Sequence, residues 1–76
     1  MPVHRMSSNE IYLDLRARIL QREEGYRTGD RLPSQQELAA LYSVHRATIS
    51  RAMLLLAHDG LVQGYGGAGT VVTASE

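Results

Sequence analysis

Between residues 45 and 51 the chain reads His45-Arg46-Ala47-Thr48-Ile49-Ser50-Arg51, which brings two guanidinium groups, an imidazole and two hydroxyls into one short stretch. These are hydrogen-bonding groups of the kind that read nucleic acid. Arginine forms a fork onto guanine O6 and N7, while Ser and Thr bond either base partner or a phosphate. Ala47 adds little bulk, so a surface can approach the backbone there. On an arbitrary helix, Arg46 and Arg51 would be no more than solvated charges. Their meaning depends on the element that carries them.

Other constellations are weaker. Gly64, Gly66 and Gly69 satisfy G-x-G-x-x-G, but a phosphate site of that kind needs a helix N-terminus after the glycines. The strand-like Thr70-Val71-Val72-Thr73 follows instead, so positive-φ glycines at a hairpin tip account better for the pattern. Glu23 and Glu24 fall in a polar loop at a helix end, where solvated carboxylates are expected rather than acid–base chemistry. Nothing orders Ser, His and Asp into a nucleophilic triad, so no enzyme is expected. There are no cysteines, and His4, His45 and His58 share no ligand spacing. Neither a metal site nor a cofactor is expected.

The elements that position the 45–51 stretch follow from periodicity. Ser7-Ser8-Asn9-Glu10 is a capping box, after which Ile11, Leu15 and Ile19 recur with Tyr12 and Leu20 widening the stripe. A first helix is expected over about 8–22, ending before Gly25. Gly29 to Pro33 reads as a turn, with a very short strand around Arg31 and Leu32. Ser34-Gln35-Gln36-Glu37 is a second capping box, and it opens a helix over about 35–42. Leu38, Leu41 and Tyr42 are its expected apolar contacts, with Ala39 allowing close packing. After Ser43-Val44, the positions Ile49, Ala52, Met53 and Leu56 define the buried face of a third helix over about 46–58. Asp59-Gly60 stops it, Gly60 suiting the left-handed position beyond the cap. Leu61-Val62-Gln63 and Thr70 to Thr73 then flank a glycine-rich tip, a hairpin over about 61–73.

This order is that of a winged helix-turn-helix: a mainly α fold with a small β-hairpin, three helices plus a two- to three-stranded antiparallel wing. Its second motif helix carries the 45–51 stretch, and such helices enter the major groove with their N-terminal residues against base edges. Residues 1–76 form one domain, since a chain this short buries only about 60% of its unfolded surface and cannot divide its core. An apolar fraction of 43% argues against wholesale disorder.

Charge is the feature that fits least. Eight arginines balance eight acidic residues, whereas nucleic-acid binders are usually basic. From residue 27 to 58, however, Arg27, Arg31, Arg46 and Arg51 face only Asp30 and Glu37, a local excess of two positive charges. No apolar run is long enough for a membrane span, and residues 1–8 lack the apolar core of a signal peptide. A cytoplasmic protein is expected.

Leu32-Pro33-Ser34, Glu37-Leu38-Ala39, Val44-x-Arg46-x-Thr48-Ile49 and Ala52-Met53 together resemble the signature of the GntR transcriptional regulators. Ile11-Tyr12, Gly29-Asp30-Arg31, Gly60-Leu61-Val62 and Gly67-x-Gly69-Thr70-x-Val72 agree, so the resemblance covers about residues 9–73. It implies a sequence-specific regulator, most often a repressor, that binds double-stranded DNA as a homodimer on a palindromic operator. The third helix would enter the major groove, the start of the second would contact backbone and bases, and the wing tip would reach the minor groove. Carried over to this chain, the implied DNA-contact residues are Ser34, Gln35, Gln36, His45, Arg46, Ala47, Thr48, Ser50, Arg51, Tyr65, Gly66 and Gly67.

The departures from that pattern are specific. The family usually has Arg where this chain has Gln36 and Tyr65, Arg or a similar base reader at Ser50, and a basic wing residue at Ala68. His45 replaces a capping Ser, and Ser43 stands where Gly is common. Each missing Arg removes a phosphate or guanine contact, so weaker and less salt-dependent binding with altered specificity is expected. Family members usually carry a C-terminal sensing and dimerising domain, and no small-molecule effector site is expected within these residues. Two other readings exist: a winged-helix protein-interaction module, suggested by zero net charge and by Leu54-Leu55, and a small DNA-architectural factor of the excisionase kind.

Overall fold

The computed structural model describes residues 5–66 and 69–74. Ser7 Oγ accepts from the Glu10 amide at 3.1 Å, and Glu10 Oε1 accepts from the Ser7 amide at 2.9 Å. This reciprocal cap starts α1, Ser8–Leu20. Ser34 and Glu37 repeat the arrangement, both bonds at 3.1 Å, ahead of α2, Gln35–Tyr42. α3, Arg46–His58, follows after a short turn.

The three helices end alike. Arg22, Ser43 and Gly60 each adopt left-handed backbone, at φ +54°, +55° and +75°. The next amide then reaches back to a carbonyl of the last turn: Glu23 N to Arg18 O at 3.0 Å, Val44 N to Ala39 O at 3.0 Å, and Leu61 N to Leu56 O at 3.0 Å. These bonds satisfy carbonyls that the helix itself leaves free. α1 therefore stops at Leu20, short of Arg22, because Arg22 is the left-handed residue of its terminating turn.

The wing consists of β1, Val62–Gly64, and β2, Thr70–Val72, antiparallel with Val62 opposite Val72 and Gly64 opposite Thr70. On the other edge of β2, Arg31 forms a single antiparallel bridge with Val71, and the Leu32 amide donates to Thr70 O at 2.8 Å. The short strand expected near Arg31 is thus one bridge long. It ties the chain ahead of α2 to the hairpin.

The core is built from one face of each helix. Ile11, Leu15 and Ile19 of α1 meet Ile49, Ala52 and Leu56 of α3, while Leu38 and Ala39 of α2 and Leu32, Val62 and Val72 close the rest. Two expected core residues lie outside it. Leu20 is 52% exposed and Leu41 70% exposed. Each helical residue advances about 100°, so Leu20 is turned off the Ile11–Ile19 stripe. α2 is only eight residues long and buries the face around Leu38 and Ala39, which leaves Leu41 on the outside. Tyr12 is half-buried, and its hydroxyl donates to the Asp59 carboxylate, joining α1 to the C-terminal end of α3. Among the described residues no helix is long and apolar enough to cross a membrane.

Candidate nucleic-acid interface

Burial of Ile49, Ala52, Met53 and Leu56 fixes the rotation of α3 about its axis. Arg46, Ala47 and Arg51 consequently stand exposed on the opposite side, and Thr48 and Ser50 are half-buried at its margins. His45 is exposed at the capping position with extended backbone, and its side chain makes no capping hydrogen bond. The first-turn amides of α3 therefore lack the side-chain acceptor that Ser7 and Ser34 supply to the other two helices.

α2 brings its N-terminus to the same side. Ser34 and Gln36 are exposed there, and Gln35 is half-buried. Ser34 Oγ already accepts from the Glu37 amide, but its hydroxyl hydrogen remains available as a donor. Ser34, Gln36 and Arg46 line one wall of an open groove, and Gly66, Gly69 and Thr70 of the hairpin line the other. A second cleft sets Ala47, Thr48 and Arg51 against Met6, Ser7 and Ser8 at the start of α1. No spacing in the sequence signals this second juxtaposition, because it arises from α1 packing along α3. Ser50 lies next to the first groove, in a cleft that shares Gln35, Gly64 and Thr70 with it. That cleft runs between α3 and the hairpin beside Leu54, which is 69% exposed.

The hairpin tip is closed by its backbone. The Tyr65 amide donates to Gly69 O at 2.8 Å and the Gly69 amide to Gly66 O at 3.0 Å, with Gly66 at φ +59° and Gly69 at φ +85°. The first glycine of the G-x-G-x-x-G run, Gly64, is not left-handed but ends β1 opposite Thr70. Tyr65 is half-exposed beside the tip. Gly67 and Ala68 lie outside the described residues.

Electrostatics favour an anionic partner on this face. Arg46 and Arg51 have no ion-pair partner among the described residues. Apart from Glu24, the carboxylates among the described residues have structural partners. Asp14 and Glu23 bond Arg18 at 3.2 and 2.7 Å, Asp30 accepts from the Arg27 amide at 3.0 Å, and Glu10 and Glu37 sit in the capping boxes. Two unpaired guanidiniums on a wet helix face, with amide and hydroxyl groups beside them, suit hydrogen bonding to phosphates and base edges.

A match to the family described as bacterial regulatory proteins, gntR family, runs over residues 7–72. The chain belongs to the GntR family. A probable transcriptional regulator PhnF of Escherichia coli K12 is 37% identical over 73 residues, covering 95% of this chain and 30% of that protein. A probable fructoselysine utilization operon transcriptional repressor of the same organism is 32% identical over 74 residues, with the same coverage of 95% and 30%. This GntR domain thus spans 30% of the length of both relatives. In structure it is similar to the DNA-binding domain of AraR solved in complex with an operator, at a TM-score of 0.80 and 23% identity, covering 96% of this chain and 84% of that one. Three helices with a two-stranded antiparallel wing make up its fold, which is similar to that of the AraR domain. The GntR domain described here is a DNA-binding module of a transcription regulator, and its family consists of regulators rather than enzymes.

Proposed function

We propose that this domain represses transcription by binding, as a homodimer, to a palindromic operator, with α3 in the major groove and the wing tip in the minor groove. The observation that carries the reading is the groove shared by Ser34, Gln36 and Arg46 on one wall and the hairpin glycines on the other. A phosphate ridge fits between the start of α2 and the wing while the first turns of α3 meet base edges. The roles then divide by position. Arg46 and Arg51 carry guanine and phosphate contacts, and Gln36 and Ser50 add hydrogen bonds to bases, Gln favouring adenine. Ser34, Gln35, His45 and Thr48 contact backbone, Ala47 admits the close approach, and Tyr65, Gly66 and Gly67 meet the minor groove.

Two similar proteins support operator binding and repression. The AraR domain was solved on an operator, and the fructoselysine regulator is named a repressor. On this reading the domain acts in the cytoplasm, where its DNA partner would lie. Selection of binding sites from random duplex DNA tests the proposal. An inverted repeat with a fixed half-site spacing is the expected outcome, since two-fold protein symmetry is mirrored in the operator. Enrichment of no half-site at all overturns it.

A further inference from the structure

From Leu61 to Ala74 the hairpin contains no charged residue, yet phosphate neutralisation by Lys and Arg supplies much of the affinity of DNA-binding proteins. The structure brings a cation to the hairpin from outside. Arg31 bridges Val71 on the free edge of β2, and the neighbouring Leu32 amide is fixed to Thr70 O at 2.8 Å. The Arg31 side chain then runs over the open face of Gly69. A β-carbon placed on Gly69 would meet Arg31 Cδ at 3.5 Å and Cγ at 3.7 Å. Gly69 itself lines the groove that holds Ser34, Gln36 and Arg46. Arg31 is exposed, and its guanidinium has no hydrogen-bond or ion-pair partner among the described residues. The nearest carboxylate in sequence, Asp30, is turned back onto the Arg27 amide at 3.0 Å.

We infer that Arg31 is the wing's phosphate contact: its guanidinium takes a DNA backbone phosphate beside the hairpin tip, replacing charge that the hairpin's own sequence lacks. Backbone hydrogen bonds on either side of Arg31, Leu32 N to Thr70 O at 2.8 Å and Val72 N to Asp30 O at 2.9 Å, hold the residue in place, and the alkyl stem lying over Gly69 directs the head group along the wing. A point contact to phosphate carries no sequence information, so Arg31 contributes affinity and register while Arg46 and Gln36 contribute choice of sequence. This inference rests on the DNA-binding reading above.

The test is the salt dependence of binding to mixed-sequence duplex DNA, measured for the chain and for Arg31→Met, Arg31→Gln and Arg31→Lys. Methionine keeps the apolar stem without the charge, and thermal melting of each variant confirms that the fold is retained. Removing one phosphate contact is expected to lower the slope of log K against log salt by about 1, so that the loss of affinity between about 50 and 200 mM salt shrinks about threefold. Arg31→Lys is expected to keep the parent slope. The methionine and glutamine variants should also lose affinity by the same factor on a selected operator as on mixed DNA. Parent-like slopes for both neutral variants overturn the assignment to Arg31 alone, as does a loss confined to the selected operator, which would mark a base reader. A parent chain without salt-dependent binding overturns the DNA-binding reading and this inference with it.

Discussion

The Tyr42 hydroxyl donates to Asp14 Oδ2 at 2.6 Å, and the same carboxylate oxygen accepts from Arg18 Nε at 3.2 Å. One carboxylate of α1 thereby holds the last residue of α2. The guanidinium of Arg18 continues to Glu23 at 2.7 Å and lies 5.8 Å from the centre of the Tyr26 ring. The network thus ties the C-terminal end of α2, whose N-terminal end presents Ser34 and Gln36 to the groove, to α1. Tyr42→Phe removes a hydrogen bond to a charged acceptor. A loss of about 1 kcal/mol is expected, read as a fall in Tm of about 4–8 °C for a domain of this size. An unchanged Tm would show that solvent replaces the bond at no loss.

The same pair sets a pH dependence. The bond from Tyr42, reinforced by Arg18 and opposed by burial, holds the Asp14 carboxyl below its ordinary value. Because the folded value is the lower one, this contribution to stability is complete above the unfolded value of about 3.9 and disappears as pH falls through the folded value. Asp14→Asn is expected to flatten the acid limb of a stability–pH profile. At the alkaline end the sign reverses. Burial, followed by the bond to Asp14, pushes the Tyr42 phenol up, so its contribution is complete below about pH 10 and is lost as pH rises further. Tyr42→Phe should remove that alkaline decline.

Ser43 occupies left-handed backbone at φ +55° at the end of α2. A side chain there costs about 1–2 kcal/mol relative to right-handed backbone, part of which glycine returns through its freer unfolded state. Ser43→Gly is expected to stabilise the domain by about 0.5–1 kcal/mol in denaturant unfolding. A decrease would indicate that the Ser43 side chain contributes more than its backbone strain removes.

His45 precedes α3 without capping it. Replacing it by Ser, the residue that caps α1 and α2, should add about 0.5–1 kcal/mol of stability. The DNA-binding consequence is a separate measurement, because the same substitution removes an imidazole from the proposed interface.

Arg46→Ala should weaken binding to a selected operator by about 1–3 kcal/mol and relax preference at one base position. Arg31→Met, by contrast, should leave preferences intact. Equal loss on all sequences would identify Arg46 as a phosphate contact.

Leu56 is fully buried where α3 meets the core. Leu56→Ala should cost about 2–5 kcal/mol, a large share of the stability of so small a domain. Circular dichroism should then show a partly unfolded population near room temperature. Native-like melting would indicate that the core collapses around the missing side chain.

Much of this architecture was legible from local pattern. Both capping boxes, the Gly60 stop and the buried positions of α3 depend on residues within a few places of each other, where helix periodicity and backbone chemistry act directly. The exposure of Arg46 and Arg51 followed from the same periodicity, since burying Ile49, Ala52, Met53 and Leu56 leaves them outside. Tertiary packing decided the remainder. Leu41 is an apolar residue beside an apolar stripe, and the packing of α2 through Leu38 and Ala39 leaves it on the surface at 70% exposure. Likewise, the start of α1 came to lie against Arg51, and the Arg31 stem came to lie over Gly69, through contacts between segments far apart in the chain. Short-range propensity carries no information about such pairs. Their meeting depends on how three helices and a hairpin share one core.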